Sequence, residues 1–188
     1  VGSLLRLSKA SISRGEKCRW EDIDNECITA QKVAECLLKI LLKKYCGKPV
    51  CHMLRGNGLS GGEKKHQRPL DRSSRVTLFD HLPVAGLNLN ESEALASVDS
   101  RGLLMAIERE QGSLKSLLAG ALLTCFCHPK HPLVELEHHS PGWIRKLLQL
   151  ADLRNKAGHA SGEQLDKQQV FNQTQWLISW VKSFEKEI

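Results

Sequence analysis

The sequence predicts an all-α fold, an antiparallel bundle of four or five helices carrying one long insertion, and three observations point to it. Apolar residues recur at steps of three and four through most of the chain. Leu, Ala, Lys, Glu and Gln dominate those periodic segments, and all are good helix formers. Aromatic residues make up 5% of the 188 positions, which disfavours a sandwich or barrel, whose strands usually draw on aromatic and β-branched side chains. At 41% hydrophobic and 26% charged, the chain can bury a core of its own, so a fibre or a disordered tail is excluded.

Residues 1–19 begin with Leu4, Leu5 and Leu7 and show no clear period, so they read as a lead-in. From Trp20 to Tyr45 the residues Ile23, Cys27, Ala30, Ala34, Leu37, Leu41 and Tyr45 form an amphipathic stripe, stopped by Gly47 and Pro49. Residues 47–90 are rich in Gly and Pro and carry a basic patch at Lys64, Lys65, Arg68, Arg72 and Arg75, so they read as a long loop or insertion with one short strand at 76–79. A helical block opens after Asn90, an expected N-cap, and carries Leu95, Val98, Leu103 and Ile107. Beyond Gly112 it continues through Leu114, Leu117, Leu118, Ala121 and Cys125, as two helices or as one bent at the glycine. Residues 128–141 hold Pro129, Pro132 and Pro141 and read as a connection. Helix resumes at Gly142 with Trp143, Ile144, Leu147, Leu148 and Ala151, and a last helix spans about 163–187 along Val170, Thr174, Leu177, Val181 and Phe184. No repeat at solenoid periods is visible.

Lys and Arg total 27 against 21 Asp and Glu, and the resulting charge of +6 favours anionic partners, RNA or DNA among them, without requiring one. The longest apolar run, "LLAGALLTCFC" at 117–127, is shorter than the ~20 residues a spanning helix needs. No export signal opens the chain, which starts at Val1 as a processed form or a fragment would, and seven cysteines is an odd number; reduced thiols in the cytoplasm are the expectation.

The segment "LQLADLRNKAGHA" at 148–160 carries the chemistry. Stepping 100° per residue from Ile144, Leu147, Leu148 and Ala151 places Asn155 and, if the helix continues, His159 on the buried stripe, with Arg154 at its edge. Burying such groups unpaired is expensive, so they need partners or a function. One reading is structural: Arg154 pairs with a helix end, Asp152 or Asp166, while Asn155 and His159 cap helix ends beside Gly158. The other is chemical, because RNA transesterification needs a base for the 2′-hydroxyl, an acid for the departing 5′-oxygen and positive charge at the phosphorane, all within reach of His and Arg.

The run Arg154-Asn155-Lys156-Ala157-Gly158-His159 resembles the signature of the HEPN superfamily, an Arg followed by a polar residue and then a His after a short gap. HEPN domains are helical bundles in which the motif often sits where one core helix gives way to the last, and the resemblance extends over about 91–188, with the helix at 20–45 as a further member. It implies a metal-independent endoribonuclease with no cofactor, acting as a homodimer because the chain holds one motif and active HEPN proteins combine two. By the resemblance Arg154 stabilises the phosphate, His159 transfers protons and Asn155 positions substrate or the His; the insertion at 47–90 has no counterpart in it, and Lys156 with Lys64, Lys65 and Arg68 are expected from their charge alone as substrate-binding cations. It also implies a role in antiphage defence or toxin–antitoxin control, with an antitoxin or larger complex as a further partner. A non-catalytic HEPN module that binds nucleotide or a partner chain is the alternative.

Other signals compete. "GLSGGEKKHQR" at 58–68 resembles the ABC ATPase signature and "TLFDHLPVAGL" at 77–87 a Walker B segment, but no Walker A loop exists and His81 follows Asp80 where an acid belongs. Cys125, Cys127, His128 and His131, with His138 and His139 beyond, offer zinc-type ligands and a second alternative, a zinc-stabilised nucleic-acid-binding domain; on a helix, however, Cys125 and Cys127 point about 160° apart and the usual Cys-x2-Cys knuckle is missing. Cys46, Cys51 and His52 would join them only if the insertion folds over. Trp176 and Trp180, one turn apart, read as core or dimer interface.

Overall fold

The computed structural model describes residues 2–16, 22–46, 94–95, 98, 100–125, 128, 130–140, 142–158 and 165–184. Among them are seven helices and no strand: α1 (Gly2–Glu16), α2 (Ile23–Tyr45), α3 (Ser100–Arg109), α4 (Leu114–Thr124), α5 (Pro132–His139), α6 (Trp143–Gly158) and α7 (Lys167–Lys182). The all-α expectation holds. The insertion at 47–90, its strand, its basic patch and the Asn90 cap lie outside the described residues.

The chain divides into two compact units, one of residues 1–37 and 145–188, the other of residues 38–144. In the first, α1 packs along α7. The sequence reads this segment as a lead-in, whereas it is a fifteen-residue helix. Near its end Arg14 donates from Nε at 2.9 Å and from Nη2 at 2.5 Å to Oε1 of Glu26, a residue with only 8% of its surface exposed. Charge-assisted bonds of this kind explain how a buried Glu is tolerated near the start of α2. Asp22 accepts from the Asn25 backbone N–H at 3.0 Å and so caps α2. Cys27, Leu153 and Val170 form a buried cluster with Ile23, Ala157, Leu165 and Phe171 packed on it. On α7, Val170, Thr174, Leu177, Val181 and the following Phe184 are all buried, the stripe expected from the sequence.

In the second unit α3 packs on α4. Helix α4 is buried over nearly its whole circumference, so its close contacts need small residues: a Cβ added to Gly120 would come within 3.2 Å of Ile107 and 3.4 Å of Ala106 and Leu42. The break between α3 and α4 is a true interruption. Glu110 and Gly112 have φ of 54° and 144°, and Ser113 caps α4 by accepting from the Ser116 N–H at 3.2 Å. Residues 132–139, read from the sequence as part of a connection, are the helix α5. Pro132 sits in its first turn, where a missing N–H costs nothing, and this is why three prolines did not exclude a helix here.

Candidate functional site

Helix α6 begins with Trp143, Ile144, Leu147 and Leu148 buried and then continues with Leu150, Ala151 and Leu153 buried. Counted at 100° per residue, the covered side in the last turns is centred on Leu150, Leu153 and Ala157, about a third of a turn from the line through Leu147 and Ala151. Its cover there is Cys27, Val170 and Phe171. Arg154, Asn155 and Lys156 fall outside that arc and are exposed. The expectation that Asn155 lies on the buried stripe with Arg154 at its edge is therefore corrected. The reason is that a stripe marks where a helix meets its neighbours, and here the cover lies on a different side of the last two turns. His159 lies outside the described residues, as do Lys64, Lys65 and Arg68.

Three successive helical residues project 100° apart, so Arg154 and Lys156 point to different sides of the axis and cannot both engage one phosphate from a regular helix. Arg154 and its neighbour Asn155, about 100° apart around the axis, are both exposed. They sit at the negative end of the helix dipole, where cations are favoured. The turn offers solvent a guanidinium and an amide on a backbone anchored from behind by Leu150, Leu153 and Ala157.

A second polar centre, whose His131 the sequence offers only as a zinc-type ligand, lies at the junction of α4 and α5. His131 has no exposed surface. Its Nδ1 accepts from the Leu133 backbone N–H at 3.1 Å, capping α5, and its Nε2 lies 2.9 Å from Thr124 Oγ1. The hydroxyl of Thr124 donates to the Ala121 carbonyl at 2.5 Å. A hydroxyl beside an imidazole resembles a nucleophile–base pair, but the proton is in the wrong place. Because Leu133 N–H can only donate, Nδ1 is unprotonated and the proton sits on Nε2, which donates to Thr124 and cannot act as its base. Burial, with His128 adding to it, pushes the imidazole down to about 4, in keeping with a neutral cap. A helix-capping His immediately before a Pro at the first helical position was the available signal.

The Cys125 thiol next to this corner is a poor metal ligand. Cys125 is buried, and burial pushes its thiol up to about 12. His131 has both nitrogens engaged, and among the described residues no three His, Cys, Asp or Glu side chains gather as a metal site would require. Cys51, His52, Cys127 and the side chains of His138 and His139 lie outside the described residues. Trp180 is core, stacked on Trp176 with ring centroids 5.9 Å apart, while Trp176 is half-buried with Lys146 Nζ 5.5 Å from its centroid. No helix among the described residues is long and apolar enough to cross a membrane. No protein-family model matches the chain, and neither do any curated proteins or solved structures.

Proposed function

We propose that the chain is a HEPN-type endoribonuclease of the cytoplasm that cleaves RNA by transesterification, its site completed by a second copy, with Arg154, Asn155 and His159 as the reacting group of residues. One observation supports the reading most: Arg154 and Asn155 stand exposed on a turn whose other side is locked into the core by Leu153 and Ala157. A phosphodiester must reach its site from solvent and meet a rigidly held cation there, which an exposed Arg on an anchored helix supplies. In the reaction the 2′-hydroxyl gives its proton to a base and its oxygen attacks phosphorus. The bond to the 5′-oxygen breaks, that oxygen takes up a proton, and a 2′,3′-cyclic phosphate remains. His159, immediately after α6 in sequence, carries an imidazole, a group suited to either proton transfer, and Arg154 offsets the charge on the phosphorane.

The test is incubation of the protein, His159→Ala and Arg154→Ala with mixed RNA in excess EDTA. Fragments ending in cyclic phosphate, made by the unaltered protein alone, are expected. RNA retained but never cut would replace the nuclease with a binding module, and neither retention nor cutting, with helical content intact by circular dichroism, would overturn the RNA reading.

A further inference from the structure

Independently of any RNA chemistry, we propose that the His131 imidazole is an acid-sensitive latch, and that protonating it releases the first turn of α5 from the end of α4 while the rest of that unit stays folded. Hydrogen-bond direction carries the argument. From the Leu133 N–H to Nδ1, from Nε2–H to Thr124 Oγ1, and from that hydroxyl to the Ala121 carbonyl, every proton points the same way, and the first of these bonds needs an unprotonated Nδ1. A proton added at Nδ1 would face the Leu133 N–H, so donor meets donor, the cap is lost, and an imidazolium is left in a site with no exposed surface. The first intrahelical bond of α5, from Val134 N–H to the His131 carbonyl at 2.9 Å, depends on the same residue staying in place.

The described side chains around the ring do not offset such a charge. Tyr45 of α2 covers the ring at a centroid distance of 4.3 Å, and the other ring against Tyr45, at 5.6 Å, is His128, itself a base. Lys44 adds a cation 5.4 Å from the Tyr45 centroid, and the thiols nearest in sequence to these groups are Cys46, which donates to the Ile107 carbonyl at 3.2 Å, and the buried Cys125. Aromatic rings, bases, a cation and protonated thiols are what these elements present among the described residues. The displacement of the imidazole from its ordinary 6.5 down to about 4 agrees with that geometry. Linkage then sets the size of the effect: at pH 5 the open form, with an ordinary His, is favoured about twentyfold more than at pH 7.

The experiment is amide hydrogen exchange on the full chain at pH 7 and pH 5, expressed as protection factors so that the intrinsic pH dependence divides out, for the unaltered protein and His131→Asn. Asn caps helices through a side-chain carbonyl that does not titrate. The unaltered protein should lose about twentyfold protection at residues 133–135 on acidification while α4 keeps its own, and His131→Asn should show the same protection at both pH values. Equal protection at both pH values in the unaltered protein, or an equal loss in the variant, would overturn the latch. Should His131→Asn lack helical content at pH 7, nitrogen NMR of the unaltered protein decides: a neutral Nε2–H ring down to pH 5 upholds the proposal, and a titration midpoint above 6 removes it.

Discussion

The end of α6 and the start of α5 are both helix termini that carry polar side chains, and they treat those side chains in opposite ways. At α6 the sequence Arg154-Asn155-Lys156 is exposed and carries two cations. At α5, His131 and Thr124 are wholly buried, uncharged and tied by bonds that run in one direction. A buried polar pair with every bond satisfied contributes order and stability but offers nothing to a ligand. An exposed cation on a rigid turn contributes little stability and is available to an anion. Proximity of a hydroxyl to an imidazole is thus a weaker sign of function than a cation left in reach of solvent.

The sharpest way to break that contrast is to truncate both ends and measure stability and RNA cleavage together. Arg154→Ala should lower cleavage by about a hundredfold or more while moving the urea-unfolding free energy by no more than about 0.5 kcal/mol, since an exposed helix-end residue has little packing to lose. His131→Ala should do the reverse, costing about 3 kcal/mol, because it removes a cap, leaves Thr124 and the Leu133 N–H without their partner and opens a cavity, with the activity of the folded fraction unchanged. If His131→Ala abolished cleavage with stability intact, the two regions would have been assigned the wrong way round.

Acidification sharpens the comparison without mutation. The His131 pKa is lower in the folded chain than in the unfolded one, so its contribution is complete above about pH 6.5 and is lost as pH falls towards 4. The expected loss is up to about 3 kcal/mol between pH 7 and pH 4, read by urea denaturation, and absent from His131→Asn. The smallest effect belongs to backbone geometry in the same unit. Gly112→Ala should cost about 1 kcal/mol, because its φ of 144° does not suit an L side chain and the new Cβ would stand 3.1 Å from the Ser116 Cβ. A neutral result by thermal melting would mean the turn between α3 and α4 relaxes.

Much of the fold was legible in the residues. The stripes of α2 and α7, from Cys27 to Leu41 and from Val170 to Phe184, are buried where period and composition place them, since a strong apolar repeat has few other ways to leave water. Helices α1 and α5 were not legible. In α1 the apolar residues lack a clear period and the ion pair of Arg14 is with Glu26, twelve residues away, and in α5 the helix begins at a proline whose effect turns on its position in the turn. At the candidate site, the identity and order of Arg154, Asn155 and His159 are written in the sequence. The exposure of Arg154 and Asn155 is not.

The sequence by itself determined that the chain is helical, that its charge favours anionic partners, and that an Arg-Asn-His motif follows a buried stripe, because composition and period are properties of each segment alone. Tertiary structure alone decided that Arg154 and Asn155 face solvent, that His131 is a neutral cap and not a base, and that Cys125 is core and not a ligand. Each of those depends on what stands opposite a side chain. Cover, hydrogen-bond direction and desolvation come from residues distant in the chain, and no local pattern encodes them.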